Sequence, residues 1–325
     1  MEFSKRIFFF GILVGLAWGW GCGEAKQTPE TTPETTPETT PGTTPGTTSG
    51  TTRGGGGDAF QGLRIVSLSP AITRSLVHLG LGELVVGRSA FCESVDSSVP
   101  VVGDLLAIHY ERLLKVHPTH VLVQPPAGGV DAELLRLAEE KGWEVGQWRL
   151  NSMDDIRLFL MQLPDLLYEV GSEEHAGLQR ACVGILDSYV SALRPVAGRA
   201  MWSGRVLVVS GVDPVMAFGA GTYLDDLLVS LGMRNCVLEK GWVTLSLEDV
   251  VRIDPEAILL VLPGAAEDGE MMRELGPLGT MDIEAVREGR VGILRHPDGL
   301  LPCSTMGEVT RELRSILQGF AAGEE

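Results

Sequence analysis

The side chains best able to do chemistry in this 325-residue chain are its five cysteines and six histidines. Cys92, Cys303, His109 and His296 are thiol and imidazole donors of the kind that hold a transition-metal ion. If the fold gathers them, they make a direct metal-ion site. Their spacing carries neither a CxxC pair nor an HExxH pattern. Cys92, Cys182, Cys236 and Cys303 could equally pair as disulfides in an oxidising compartment, Cys92 with Cys303 among them. His78 lies on a helical stretch, and His117 and His120 flank the start of a strand, so these three read as packing or surface residues. Catalytic spacings are lacking: there is no GxSxG elbow and no GxxxxGK[ST] loop. Gly219-Ala220-Gly221 opens like a dinucleotide fingerprint, but Leu224 stands where the third glycine belongs, so the stretch reads as a turn. The chemistry that remains is recognition. Trp242 is either a platform for a large flat or apolar ligand or a core residue.

Cys22 has a different chemistry, that of a lipid acceptor. Residues 1–21 read as a signal peptide, with Lys5 and Arg6 before an apolar stretch too short to span a bilayer. The residues before Cys22 look like a bacterial lipoprotein signal, although Gly19 replaces the usual leucine. Residues 22–62 then form a Thr/Pro/Gly tether with almost nothing apolar to bury. As a random coil its ~40 residues would reach roughly 35 Å. A lipid on Cys22 and a tether behind it would hold a folded domain above a membrane, on the extracytoplasmic side.

The rest of the chain supplies the elements that must position any site. Strand and helix patterns alternate over residues 63–151: a strand from Arg64, a helix from Ala71 to Leu79, strands at Leu84–Gly87 and Thr119–Gln124, a helix at Asp131–Lys141 and a strand at Trp143–Leu150. Such alternation predicts α/β lobes with parallel-type sheets. Residues 152–202 break it. There Leu178, Cys182, Ile185, Tyr189 and Leu193 follow at spacings of four, three, four and four, which marks one long helix from Ser172 to Arg194. Alternation resumes over residues 203–325. The net charge of −17 speaks against nucleic acid as a partner.

The two alternating regions echo one another. "ERLLKVHPTHVLV" from Glu111 and "EDVVRIDPEAILLV" from Glu248 share an acid, paired aliphatics, a base, a proline and a buried strand. "LVHLG" at Leu76 likewise matches "LVSLG" at Leu228. The pattern predicts two pseudo-equivalent α/β lobes joined by one rigid helix. These segments, with "RIVSLSPAITRSLVHLGLGELVVG" and "GAGTYLDDLLVSLGMRN", resemble the helical-backbone substrate-binding proteins of ABC importers, and within them the branch that binds cobalamin and ferric siderophores.

That resemblance implies a monomeric receptor, without cofactor or catalysis, that takes a metal chelate between its lobes. The chelate would be a corrinoid, a ferric siderophore or haem, delivered to a permease dimer. It implies ligand-facing positions at Ser69, Pro70, Phe91, Cys92, Leu105, Met216, Trp242, His296 and Asp298. Leu105 stands where cobalamin binders carry Trp, and Met216 where they carry Phe. Glu111 and Glu248 would dock on arginines of the two permease subunits; read alone, each is an acid in the first turn of a helix. Ser69 can also simply cap the following helix. Arg88 and Arg295 are the clearest bases near the expected cleft, too few for a highly anionic chelate. The competing readings are a direct zinc or manganese receptor and, with less support, an α/β enzyme or metallocluster scaffold.

Overall fold

The computed structural model describes residues 62–104, 106–198, 201–264 and 271–322. The leader, Cys22, the tether and Leu105 lie outside the described residues.

The first sheet has five strands in the order β3-β2-β1-β4-β5, all parallel: β1 (Ile65–Ser67), β2 (Val85–Ser89), β3 (Val101–Gly103), β4 (His120–Val123) and β5 (Glu144–Gln147). Helices α1 (Pro70–His78), α2 (Tyr110–Lys115) and α3 (Ala132–Lys141) connect them. This is the crossover topology that alternating patterns require. Two linking helices follow, α4 (Met153–Leu167) and α5 (Glu173–Ala192). The second sheet holds β6 (Arg205–Val212), β7 (Val215–Phe218), β8 (Arg234–Asn235), β9 (Trp242–Leu245), β10 (Ala257–Val261) and β11 (Val291–Leu294). Its path is β11-β10-β6-β7-β9, with β8 pairing β6. Helices α6 (Tyr223–Ser230), α7 (Leu247–Ile253), α8 (Met271–Glu274), α9 (Glu284–Arg287) and α10 (Met306–Ala322) complete the described chain.

The second sheet is mixed rather than wholly parallel. β6, β8, β10 and β11 keep the parallel core, but β7 turns back on β6, and β9 runs antiparallel to β7. The sequence hides this excursion, because Asp213-Pro214 makes a turn too tight to separate two apolar runs visibly. Helix α4 is the other element the patterns miss. Pro164 reads as a breaker, yet it sits in the last turn with its ring buried, so the one i→i−4 bond it removes lies close to where the helix ends anyway. A capping box of Ser152 and Asp155 starts that helix.

The echoed segments superimpose in their details. At the base of β1 the Arg64 guanidinium donates to the carbonyls of Val116 and His117, at 2.8 and 3.0 Å. At the base of β6 the Arg205 guanidinium donates to those of Ile253 and Asp254, at 3.0 and 2.8 Å. His117 and Asp254, each before a proline, adopt the left-handed region with φ of 44° and 43°. Both arginines therefore hold the carbonyl end of a short helix whose chain must turn sharply into a central strand. Helices α1 and α6 likewise stop before Gly80 and Gly232, whose φ of 76° and 85° suits glycine.

One hydrophobic core runs through both halves. Ile65, Ile72 and Leu122 of the first join Val208, Phe218 and Leu228 of the second. Phe159 and Leu163 of α4, Leu178 and Cys182 of α5, and Leu313 and Leu317 of α10 fill the space between. Each sheet packs its other face on a separate cluster. Cys92, Cys182, Cys236 and Cys303 are all unpaired thiols, so no described disulfide staples the fold.

Candidate functional site

Strand β1 ends in the turn Ser67-Leu68-Ser69-Pro70, at the carboxyl edge of the first sheet, where open α/β sheets bind ligands. The turn is fully occupied by internal bonds. Ser69 caps α1, accepting from the Ile72 amide at 3.4 Å, and donates to Gln124 Oε1 at 2.9 Å. Gln124 Nε2 donates in turn to the Arg149 carbonyl at 2.7 Å. The loops after β1, β4 and β5 are thereby tied in one row. Thr73 Oγ1 lies 2.8 Å from Ser67 Oγ and 2.9 Å from Cys92 Sγ, which draws the loop after β2 into the same knot. Ser69, Pro70 and Cys92 are all buried. They shape this edge of the sheet from within.

Phe91, next to Cys92, is half-buried, and its amide donates to Ser89 Oγ at 3.0 Å. Arg88 is engaged by its own loop. Its guanidinium donates to the carbonyls of Val99, Ser89 and Cys92, at 3.1, 3.2 and 3.4 Å, and so folds the loop around itself. Between the loops after β3 and β4 a pocket of about 250 Å³ opens, lined by Leu106, Ile108, Gln124, Pro125 and Val130 with Asp104 and Asp131 at its polar side. Tyr110 donates to Asp131 Oδ1 at 2.7 Å. This bond is the main cause that holds the Asp131 carboxyl below its ordinary value.

In the second half, Met216 and Trp242 come to one face. Met216 pairs with Thr244 and Phe218 with Trp242 in adjacent antiparallel strands, so all four side chains point the same way. Trp242 lies against Phe218 with ring centroids 3.9 Å apart, and Phe218 meets Tyr223 edge-on at 5.9 Å. Trp242 and Met216 remain half-buried, so both descriptions of Trp242 hold: one side packs on the core and the other stays open. The turn that places it leaves no room at Gly219, where a Cβ would fall 2.0 Å from the Glu239 carbonyl oxygen.

His296 and Asp298 follow β11, at the other edge of the second sheet from β9. His296 lines a separate cavity beside α10. Its Nδ1 accepts from the Asp298 amide at 3.1 Å, which leaves Nε2 to face Glu308 at 3.3 Å. Asp298 is 4% exposed. It receives Arg74 Nε on both oxygens, at 3.0 and 2.9 Å, and Thr305 Oγ1 at 2.8 Å. It is a tie between the two halves. Arg74 and Gln124 are the positioning residues that sequence reasoning missed. Arg74 meets its partner 224 positions away, and no local pattern reports that.

The metal-ion reading needs three or more donors in one place. No group of three His, Cys, Asp or Glu side chains able to hold a metal forms among the described residues. Burial pushes Cys303 and Cys236 up to about 12 and Cys182 up to about 11, so these thiols are neutral at about pH 7.

Glu111 and Glu248 are exposed, each in the first turn of its clamped helix, α2 or α7. Glu248 has Arg252 at 3.6 Å for company, an exposed i,i+4 pair of small worth.

A family model for periplasmic binding proteins matches residues 65–296. The uncharacterized ABC transporter substrate-binding lipoprotein YvrC of Bacillus subtilis (strain 168) is 24% identical over 240 residues, 70% of this chain and 71% of the relative. Among solved structures, the periplasmic heme-binding protein RhuT from Roseiflexus sp. RS-1 aligns with a TM-score of 0.60 at 20% identity, covering 80% of this chain and 99% of that one. The periplasmic vitamin B12 binding protein BtuF of Vibrio cholerae aligns with 0.58 at 19%, covering 79% and 97%. At these identities the structural likeness is one of fold.

Proposed function

This chain belongs to the periplasmic binding protein family, and on that premise we propose that it is an extracytoplasmic receptor that captures a metal chelate and delivers it to an ABC permease. The observation that carries the delivery half of this reading is the matched pair of arginine-clamped helices. Arg64 and Arg205 make the same two carbonyl bonds in the two halves, and each clamped helix presents one exposed acid, Glu111 or Glu248. A permease of two like subunits offers two like basic pockets, and one carboxylate per half satisfies both. The ligand class rests on the open Met216–Trp242 face, which suits a broad, largely apolar chelate. The solved relatives named for heme and vitamin B12 agree with it. Arg74 and Arg88 are already engaged by the protein itself, which favours a neutral chelate over a highly anionic one.

The organisation follows the sequence reading: residues 1–21 a signal peptide, 22–62 a tether lipidated at Cys22, 63–151 and 203–325 the two lobes, and 152–202 the link. The ligand leaves chemically unchanged. The delivery claim is tested in cells that depend on the chelate. Replacing Glu111 and Glu248 together by Ala should abolish uptake while the purified protein binds the chelate as before. Uptake at the wild-type rate would refute the docking role.

A further inference from the structure

A cavity of about 540 Å³ opens where α5 ends against α10, built from elements other than those of the Met216–Trp242 face. Its lining is basic. Arg194 follows the end of α5, while Arg311 and Arg314 come from α10. Ser188, Ser315 and Gln318 add hydroxyl and amide groups, and no carboxylate among the described residues lines the cavity. Three arginines without a lining acid stand out in a chain of net charge −17.

Two of the three are held in place. Arg311 Nη2 donates to Ser188 Oγ at 2.9 Å, so it reaches across from α10 to α5. Arg314 donates from a terminal nitrogen to the Arg194 carbonyl, at the end of α5. Arg314 is only 8% exposed, and its Nε has no hydrogen-bond partner, nor has the buried Nε2 of Gln318. Burying a charge without a counter-charge is costly. The guanidinium fork matches the oxygens of carboxylate or phosphate, and two or more forks around one cavity favour the anion with more oxygens and more charge.

We propose that this cavity binds a phosphate group, whose oxygens would bridge Arg194 at the end of α5 to Arg311 and Arg314 of α10. Its volume lies in the range of roughly 300–1,000 Å³ typical of small-molecule sites, so there is room for a phosphate that carries a substituent. Free phosphate and the phosphodiester of a lipid headgroup share this chemistry. Either would lock the linking helix onto the closing helix, in a place independent of the chelate reading.

The test is calorimetric titration of the full-length chain at constant ionic strength. The probes are inorganic phosphate and short-chain dihexanoyl phosphatidylglycerol, with nitrate as the control for charge alone. At least one phosphate probe should bind saturably and raise the melting temperature. The double variant R194A/R311A, which alters only exposed side chains, should lose about tenfold or more in affinity. Binding of phosphatidylglycerol alone would identify the lipid as the source; binding of both would identify the phosphate group itself. No saturable binding by either probe, equal binding of nitrate, or undiminished binding in the variant would each overturn the site.

Discussion

Asp298 ties the two halves together. Its carboxylate is 4% exposed and takes three hydrogen bonds from Arg74 and Thr305. Replacing it by Ala strands Arg74, whose side chain is one-third exposed, so water offsets part of the loss. A cost of about 2–3 kcal/mol is expected, read as a lower denaturant midpoint, and an unchanged midpoint would remove Asp298 from the frame. The cysteines supply a pH prediction at the same scale. Burial raises Cys303 and Cys236 to about 12 and Cys182 to about 11, from an ordinary value of 9.0. The folded chain holds these protons more tightly than the unfolded one. Their contribution is therefore complete below about pH 9 and is lost as pH rises towards 12. Stability should fall over that window in a denaturation series, and the buried Cys182 and Cys303 should react with Ellman's reagent at pH 8 only after unfolding. Rapid labelling of either in the native chain would contradict its burial.

At the scale of elements, the arginine clamps explain how two short helices can present an acid reliably. A helix of six or seven residues is marginal alone. Arg64 fixes the end of α2 and Arg205 the end of α7 through two carbonyls each. Arg64→Ala or Arg205→Ala should cost about 1–2 kcal/mol and speed amide exchange in that helix alone. Exchange that rises evenly over the molecule would mean that the clamps are not local. Much of this architecture was legible in the sequence. The repeated Glu-to-Pro segments announced the paired helices, and the periodicity of Leu178, Cys182 and Ile185 announced α5. The β6–β7 hairpin and α4 were not legible, because Asp213-Pro214 is so short a turn and Pro164 imitates a stop. The site depends on contacts that local sequence does not report. Met216 and Trp242 share a face that the strand register alone decides. Ser69, Cys92 and Asp298 sit on the expected loops, but their burial depends on partners far away in the chain.

At the scale of the molecule, the halves are joined by more than the linking helices. Arg74 reaches Asp298, Ser304 donates from its amide to Ser75 Oγ at 3.1 Å, and the Tyr223 amide donates to the Asn151 carbonyl at 2.7 Å. With a core continuous through both halves, chelate capture should proceed by small closure rather than by a wide hinge. Small-angle scattering should show nearly the same radius with and without ligand, and a large compaction would contradict the ties. If a chelate binds on the Met216–Trp242 face while Glu111 and Glu248 serve only delivery, the two roles separate by mutation. The most direct measurement is a tryptophan-fluorescence titration of the full-length chain with cyanocobalamin, a neutral ferric hydroxamate, haem and zinc in turn, repeated on Trp242→Ala and on Glu111→Ala/Glu248→Ala. One chelate should bind saturably, weakened about tenfold or more by loss of Trp242 and unchanged by loss of the two acids. A response to zinc alone, or a chelate affinity indifferent to Trp242, would contradict chelate binding on that face.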